Sequence, residues 1–195
     1  GLPLPMPTAE PLPYKIATLV DLRDRAGRVL LLRRVKAPNM GLCSPIGGKL
    51  DMASGESPAQ CARREAMEEA GVRLPLSRFH LAGLISEAGY EGKGHWLLFY
   101  YRVLGAVSVR ARTMREGSLE WHRQEDIESL PLPETDRRII WPFVRRHESL
   151  AGPDGRGPLF CVHIDCTGKA MRWSVEEGGP PARARRVRSP RRPRV

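Results

Sequence analysis

The chain has 195 residues, 41% of them hydrophobic and 28% charged, with a formal net charge of +10. This is enough apolar material for one folded domain with a sizeable core, and too much for a disordered chain. No apolar run reaches the roughly 18 residues that a transmembrane helix needs, so no transmembrane helix is expected within these residues. Seven arginines fall in residues 183–195 with no acid among them, and without them the charge is +3. The body of the chain is therefore only mildly basic. Residues 1–13 hold five prolines and read as an extended, mobile leader. The start has no basic region followed by an apolar run, so it is not a secretory signal. Lacking an initiator Met, it reads as a trimmed end. Cys43, Cys61, Cys161 and Cys166 form no CxxC pair, which fits a reducing, cytoplasmic compartment.

Residues Tyr14 to Leu22 and Val29 to Val35 are rich in β-formers and flank a turn at 24–27, so a hairpin is expected. A Pro/Gly-rich loop then leads into GGKLDMASGESPAQCARREAMEEAGV, residues 47–72. Ser57 and Pro58 are helix-start signals, and Gly71 is the stop. On that helix Glu65 and Glu69 are spaced i,i+4, with Glu68 between them, so three carboxylates crowd one side. Like charges at this spacing destabilise a helix unless something neutralises them, and a hard divalent cation with oxygen ligands does so. A plain solvated helix face would leave the glycine pair, the Glu56 spacing and the Gly71 stop unexplained together.

This stretch resembles the Nudix box, the signature of the Nudix hydrolases. Glu56, Arg64, Glu65, Ala66, Glu68, Glu69, Gly71 and Val72 fall on its specified positions. The front departs, because seven residues rather than five separate Gly48 from Glu56. The resemblance covers residues 14–177 in outline and is MutT-like. It implies an α/β fold, the Nudix α/β/α sandwich with a mixed central β-sheet. It also implies Mg²⁺-dependent hydrolysis, with Mn²⁺ as the alternative ion, of a nucleoside diphosphate linked to another group. On the same basis Glu65, Glu68, Glu69 and the Gly47 carbonyl would hold the metal, and Arg64 would pin the carboxylates. Glu56 would brace the loop or reach the metal through water.

The preceding loop resembles the family branch that hydrolyses oxidised purine nucleotides, through Pro38, Asn39, Gly41, Leu42, Gly47, Gly48 and Lys49. The resemblance implies substrate contacts from Asn39, Ser44 and Lys49. Cys43-Ser44 replaces that branch's Trp-Asn, and Ser44 is equally a turn residue before Pro45. Strands are expected over 78–86 and 95–104, joined by a loop that exposes Tyr90, with His80 and His95 as packing residues. A tyrosine near that place occurs in dinucleoside polyphosphate hydrolases of the family. In EGSLEW, Glu116 occupies the place of a further acid that joins the metal site or activates water; Glu120 is the nearer rival, and a solvated acid is the alternative. Trp121 reads as core. A short helix over 124–129 precedes Asp136, which opens a longer helix through Glu148. By resemblance Asp136 reads a purine edge, and it can also cap the helix. No stacking Trp stands shortly before Glu134. A terminal hairpin is expected over 160–176. Its Cys161, His163 and Asp165 share one face and Cys166 the other, so no zinc site is expected there.

Residues 178–195 read as a disordered Arg/Pro-rich tail, either solvated or making salt-dependent contact with nucleic acid. The expected function is hydrolysis of purine nucleoside triphosphates, including 8-oxo-dGTP-like ones, to monophosphate and pyrophosphate. The alternatives are another Nudix pyrophosphohydrolase, for dinucleoside polyphosphates, nucleotide sugars or RNA 5′ ends, and a non-catalytic nucleotide sensor. Oligomeric state is not legible.

Overall fold

The computed structural model describes residues 10–179. Residues 1–9 of the leader and residues 180–195 of the tail, with the roles weighed for them, lie outside the described residues. Among the described residues, ten strands form two sheets. The larger has the order β10 (Arg172–Glu177), β9 (Phe160–Asp165), β5 (Phe79–Tyr90), β6 (Gly94–Val103), β1 (Tyr14–Asp21) and β4 (Ile46–Lys49). The smaller has the order β3 (Cys43–Ser44), β2 (Val29–Arg34), β8 (Gly117–His122) and β7 (Arg112–Met114). In the larger sheet β1 runs parallel to β6 and β5 parallel to β9, while the other pairs are antiparallel. The central sheet is therefore mixed.

The expected hairpin forms only at its closed end. Arg23 and Val29 make a single bridge, and the Leu30 amide donates to the Leu22 carbonyl at 3.0 Å. Beyond that the strands part into different sheets. Each strand has buried residues on both faces, so a two-stranded hairpin cannot cover them and both need elements from elsewhere in the chain. Ala17 and Leu31 face one core cluster, while Val20, Leu30 and Leu32 face the other.

Two helices cover opposite faces. Helix α1 (Pro58–Ala70) lays Ala62, Ala66 and Ala70 against Val20, Ile46 and Tyr101. Its small residues let the backbone come close to the sheet. Helix α2 (Trp141–Ser149) follows a π-helical turn, Asp136–Ile140, and buries Trp141, Phe143 and Val144 against Ala82, Tyr100 and Phe160. A buried ion network ties α2 to the sheet. Arg23 holds Asp21 through two bonds, at 2.6 and 3.0 Å, and reaches Glu148 of α2 at 3.2 Å. Among the described residues no helix is long and apolar enough to cross a membrane.

Strand β5 departs most from expectation. It runs four residues past Ser86, because Glu87 and Ala88 pair with Ile164 and Asp165 of β9 and Tyr90 pairs with Gly94 of β6. Tyr90 is consequently a half-buried strand end and not an exposed loop residue.

Candidate active site

Helix α1 is closed at both ends by local chemistry. The Gln60 amide donates to Ser57 Oγ at 3.2 Å, and the Ser57 amide donates to Gln60 Oε1 at 2.9 Å. At the other end Gly71 takes φ 71°, a left-handed value that side chains resist, and its amide donates to the Met67 carbonyl at 3.0 Å. The caps fix which way the box acids point.

Arg64 organises the acids. Its Nε and Nη2 donate to the two Glu56 oxygens at 2.7 and 2.9 Å, and Nη1 donates to Glu65 at 2.8 Å and to Glu68 at 3.2 Å. Nη2 also reaches the Lys49 carbonyl at 3.1 Å. Arg64 holds the Glu56 carboxyl down to about 2, against the modest opposing effect of burial.

The long loop before Glu56 is folded on itself. Asp51 accepts from the Ala53 amide at 3.1 Å, and the Asp51 amide donates to Glu56 Oε2 at 2.9 Å. The two extra residues are absorbed in this turn, and Glu56 remains bonded to Arg64.

The acids divide between two sides of the helix. Glu65 is buried at 8% exposure, and Glu69 accepts from the Gly47 amide at 3.2 Å. Both line a cavity of about 360 Å³. Burial pushes Glu69 up to about 7, with added repulsion from Glu65 and Glu116 and partial relief from the Gly47 amide and Arg34. Burial likewise raises Glu65. Glu68 stands outside the cavity lining, with its side chain 57% exposed on the Arg64 side.

The structure separates the two rival acids. Glu116 lines the cavity. Glu120 lies elsewhere, bonded by Arg33 at 3.1 and 3.2 Å, by Ser118 at 2.9 Å and to His122 at 2.9 Å. Cys43 joins Glu120 and His122 in a group whose ligand atoms lie within 4.8 Å of one another.

The cavity runs on past the acids. Asn39, Ser44, Lys49 and Asp136, the four substrate-contact candidates, all line it. So do Arg34, Glu87, Tyr90, Trp96 and Thr135, which sequence reasoning either passed over or, for Tyr90, placed in solvent. The Tyr90 hydroxyl donates to Asn39 Oδ1 at 2.6 Å. Asn39 has φ 61°. Glu87 pairs with Trp96 across β5 and β6, which turns both side chains to one face of the sheet. That alternation was the available signal, once the strand is extended through Tyr90. Trp141 packs in the core instead, with the Arg23 guanidinium 5.6 Å from its ring centre. A wider depression on the outer side of α1 includes Glu56 and Arg64 but neither Glu65 nor Glu69.

The donor set fits a hard divalent cation: carboxylates crowd together in the cavity, with their repulsion only partly relieved by Arg64 at Glu65 and by the Gly47 amide and Arg34 at Glu69.

Comparison with known proteins places this arrangement in a family. Residues 13–146 match the NUDIX domain. The chain is 30% identical over 115 residues to an uncharacterized Nudix hydrolase, YvcI, of Bacillus subtilis, covering 58% of this chain and 69% of that protein. The crystal structure of the Bacillus halodurans mutator MutT protein superposes with a TM-score of 0.60 at 25% identity, over 82% of this chain and 97% of that one. The NUDIX domain of Shewanella oneidensis NrtR, solved with ADP ribose, shares the fold at a TM-score of 0.56 and 19% identity, over 74% of this chain and 92% of that one. The chain belongs to the NUDIX family.

Proposed function

We propose that this Nudix protein hydrolyses purine nucleoside triphosphates, oxidised ones included, to monophosphate and pyrophosphate with Mg²⁺. One observation carries the reading. A single cavity joins the crowded carboxylates Glu65, Glu69 and Glu116 to an end lined by Tyr90, Trp96 and Asp136. One end suits a polyphosphate and the other a flat heterocycle. The likeness to the Bacillus halodurans MutT protein agrees with it.

Glu65 and Glu69, with the Gly47 carbonyl and with Glu68 alongside, would hold the cation; Mn²⁺ has the same donor preference. When bound, the ion would neutralise phosphate charge and lower the pKa of water. The protein's own groups do the rest. Arg64 fixes Glu65 and ties Glu56 to the loop carbonyl of Lys49. Arg34 and the Lys49 side chain bring positive charge to the phosphate path. Glu116, free of the Arg33 pair that engages Glu120, accepts the proton of the attacking water. Trp96 stacks on the base, in the role for which sequence reasoning found no tryptophan. Asn39, held by Tyr90, and Ser44 bond its edge together with Asp136.

The test is a substrate panel with the full-length protein and Mg²⁺: dGTP, 8-oxo-dGTP, ADP-ribose, diadenosine polyphosphates and triphosphorylated RNA, with products resolved. Release of pyrophosphate from a purine triphosphate is expected. Cleavage confined to ADP-ribose or to dinucleotides would replace this substrate class. No hydrolysis with Mg²⁺ or Mn²⁺ would favour a nucleotide sensor.

A further inference from the structure

Glu87 is the most buried acid in the cavity, at 4% exposure. Among the described residues it has no salt bridge and no hydrogen bond within 3.5 Å, and the Thr135 hydroxyl is the polar group near enough to ease its charge. Asp136 also lacks a salt bridge among the described residues, and its one hydrogen bond comes from Thr135 at 3.4 Å. With little water and no cation beside them, the charged forms are disfavoured, so such groups are ordinarily neutral or paired by a ligand.

The other charged and titratable neighbours do not supply the missing cation. Tyr90 is committed to Asn39, and both its phenol and the Cys166 thiol are raised by burial and by the charge of Glu87. Lys15 lies over the Trp96 ring, 5.2 Å from its centre. The positive charge of Arg34 is at the phosphate end, where it acts on Glu69.

We infer that Glu87, beside Asp136, selects the substrate's base as a hydrogen-bond donor, offering a carboxylic O–H to an acceptor on the edge of a neutral heterocycle. The assignment deepens the proposed function and rests on it. Glu87 comes from β5 and Asp136 from the turn before α2, so the two reach the ligand from different elements. Trp96, directly across from Glu87 in the sheet, offers a flat apolar surface next to the acid. A ligand gripped this way is planar, uncharged at the edge it presents, and carries at least one ring nitrogen or carbonyl acceptor there. An ionised carboxylate would repel such an edge.

Protonation follows from the same placement. Burial pushes Glu87 up to about 8, with the charge of Asp136 adding to it, and burial pushes Asp136 up to about 7. At neutral pH the pair retains a proton, which is lost as pH rises through about 8. The donor is therefore present below that pH and absent above it.

The experiment compares wild type, Glu87→Gln and Glu87→Ala, each full length and checked for a native circular dichroism spectrum. KM is measured for dGTP, 8-oxo-dGTP, dATP, dCTP and dTTP from pH 6 to 9.5 with Mg²⁺. Wild-type KM should climb by up to ~10-fold per pH unit above about 8, the slope of a one-proton linkage. In Glu87→Gln the amide still donates but cannot ionise, so that climb should vanish. Glu87→Ala should raise KM roughly tenfold or more at pH 7 and flatten the preference among bases. A Glu87→Gln profile that follows wild type, or a Glu87→Ala KM within twofold of wild type, overturns the role of Glu87 and leaves the hydrolase reading standing. If wild type hydrolyses no nucleotide, the hydrolase reading fails first. Binding of dGMP and 8-oxo-dGMP in EDTA by calorimetry then decides Glu87 alone. The same loss above pH 8 sustains it, and no binding, or binding indifferent to Glu87→Ala, removes it.

Discussion

Replacing Gly48 by alanine probes how tightly the sheet edge and the box helix are fitted. A Cβ at Gly48 would stand 2.1 Å from Glu65 Oε1, 2.5 Å from Cδ and 3.0 Å from Oε2. The three nearest atoms all belong to Glu65. The carboxylate would have to retreat by about 1 Å to reach the shortest contact real Cβ atoms tolerate. It has little room, because it is buried and bonded to Arg64 at 2.8 Å. Losing that charged hydrogen bond costs about 1.5–3 kcal/mol. The smaller unfolded-state entropy of alanine offsets about 0.4–1 kcal/mol of it. The net expectation for Gly48→Ala is a loss of roughly 0.5–2.5 kcal/mol. The assay is urea denaturation in EDTA of wild type, Gly48→Ala, Glu65→Ala and the double variant. With Glu65 truncated the clash disappears, and Gly48→Ala should become stabilising by about 0.4–1 kcal/mol. The coupling across the cycle should therefore be about 1.5–3 kcal/mol. A coupling below about 0.5 kcal/mol, within ordinary additivity error, would refute the close fit.

Asp21→Asn strips Arg23 of its buried carboxylate. Breaking such a pair costs about 3–5 kcal/mol, or roughly 6–20 °C in Tm for a chain of this length, by calorimetry. Burial alone would raise the Asp21 carboxyl, but Arg23, Arg102 and Tyr100 outweigh it and hold it below the usual carboxylate range. A depressed acid stabilises above its unfolded pKa of about 4 and loses that contribution as pH falls through the folded value. The gap between wild type and Asp21→Asn should hence close below about pH 4, and a gap unchanged at about pH 3 would contradict the pairing. Tyr90→Phe removes the 2.6 Å bond to Asn39. A neutral hydrogen bond is worth about 0.5–1.5 kcal/mol, so steady-state kinetics should show KM raised about 2- to 12-fold. An unchanged KM would mean that Asn39 is positioned without Tyr90. Chelation with EDTA should abolish hydrolysis and excess Mg²⁺ should restore it; hydrolysis that survives chelation would exclude the metal role of the box acids.

The helix with the box acids was legible in the sequence because its determinants are local. Ser57, Pro58 and Gly71 lie within a turn of the ends they close, and the i,i+4 rule puts Glu65 and Glu69 on one side. The partition between buried Glu65 and exposed Glu68 was not legible, since it depends on where strands β1 and β4 approach the helix. The same limit explains the hairpin. Residues 14–35 look self-sufficient, yet their strand edges pair with β6, β4, β3 and β8, and their two faces are covered by α1 and by residues 127–144, all from later in the chain. Glu87, Tyr90 and Trp96 were missed for a related reason. The stretch EAGYEGKG carries turn residues, but pairing with β9, more than seventy residues on, carries β5 through Ala88, and Tyr90 pairs with Gly94 of β6. The separation of Glu116 from Glu120 likewise depended on a distant partner, Arg33 of β2, which bonds Glu120 away from the cavity lining.

Product analysis with Glu69→Gln tests the role of the box acids most directly. The substitution keeps the shape of the side chain and removes one ionisable carboxylate from the cavity. Wild type and variant, with matching circular dichroism spectra and denaturation midpoints, are incubated with dGTP and 8-oxo-dGTP in Mg²⁺. Wild type should yield monophosphate and pyrophosphate, and the variant should lose at least about a hundredfold in kcat, the scale of removing one electrostatic group from a site of this kind. A folded Glu69→Gln protein with near-normal turnover would contradict the assignment of the box acids to catalysis.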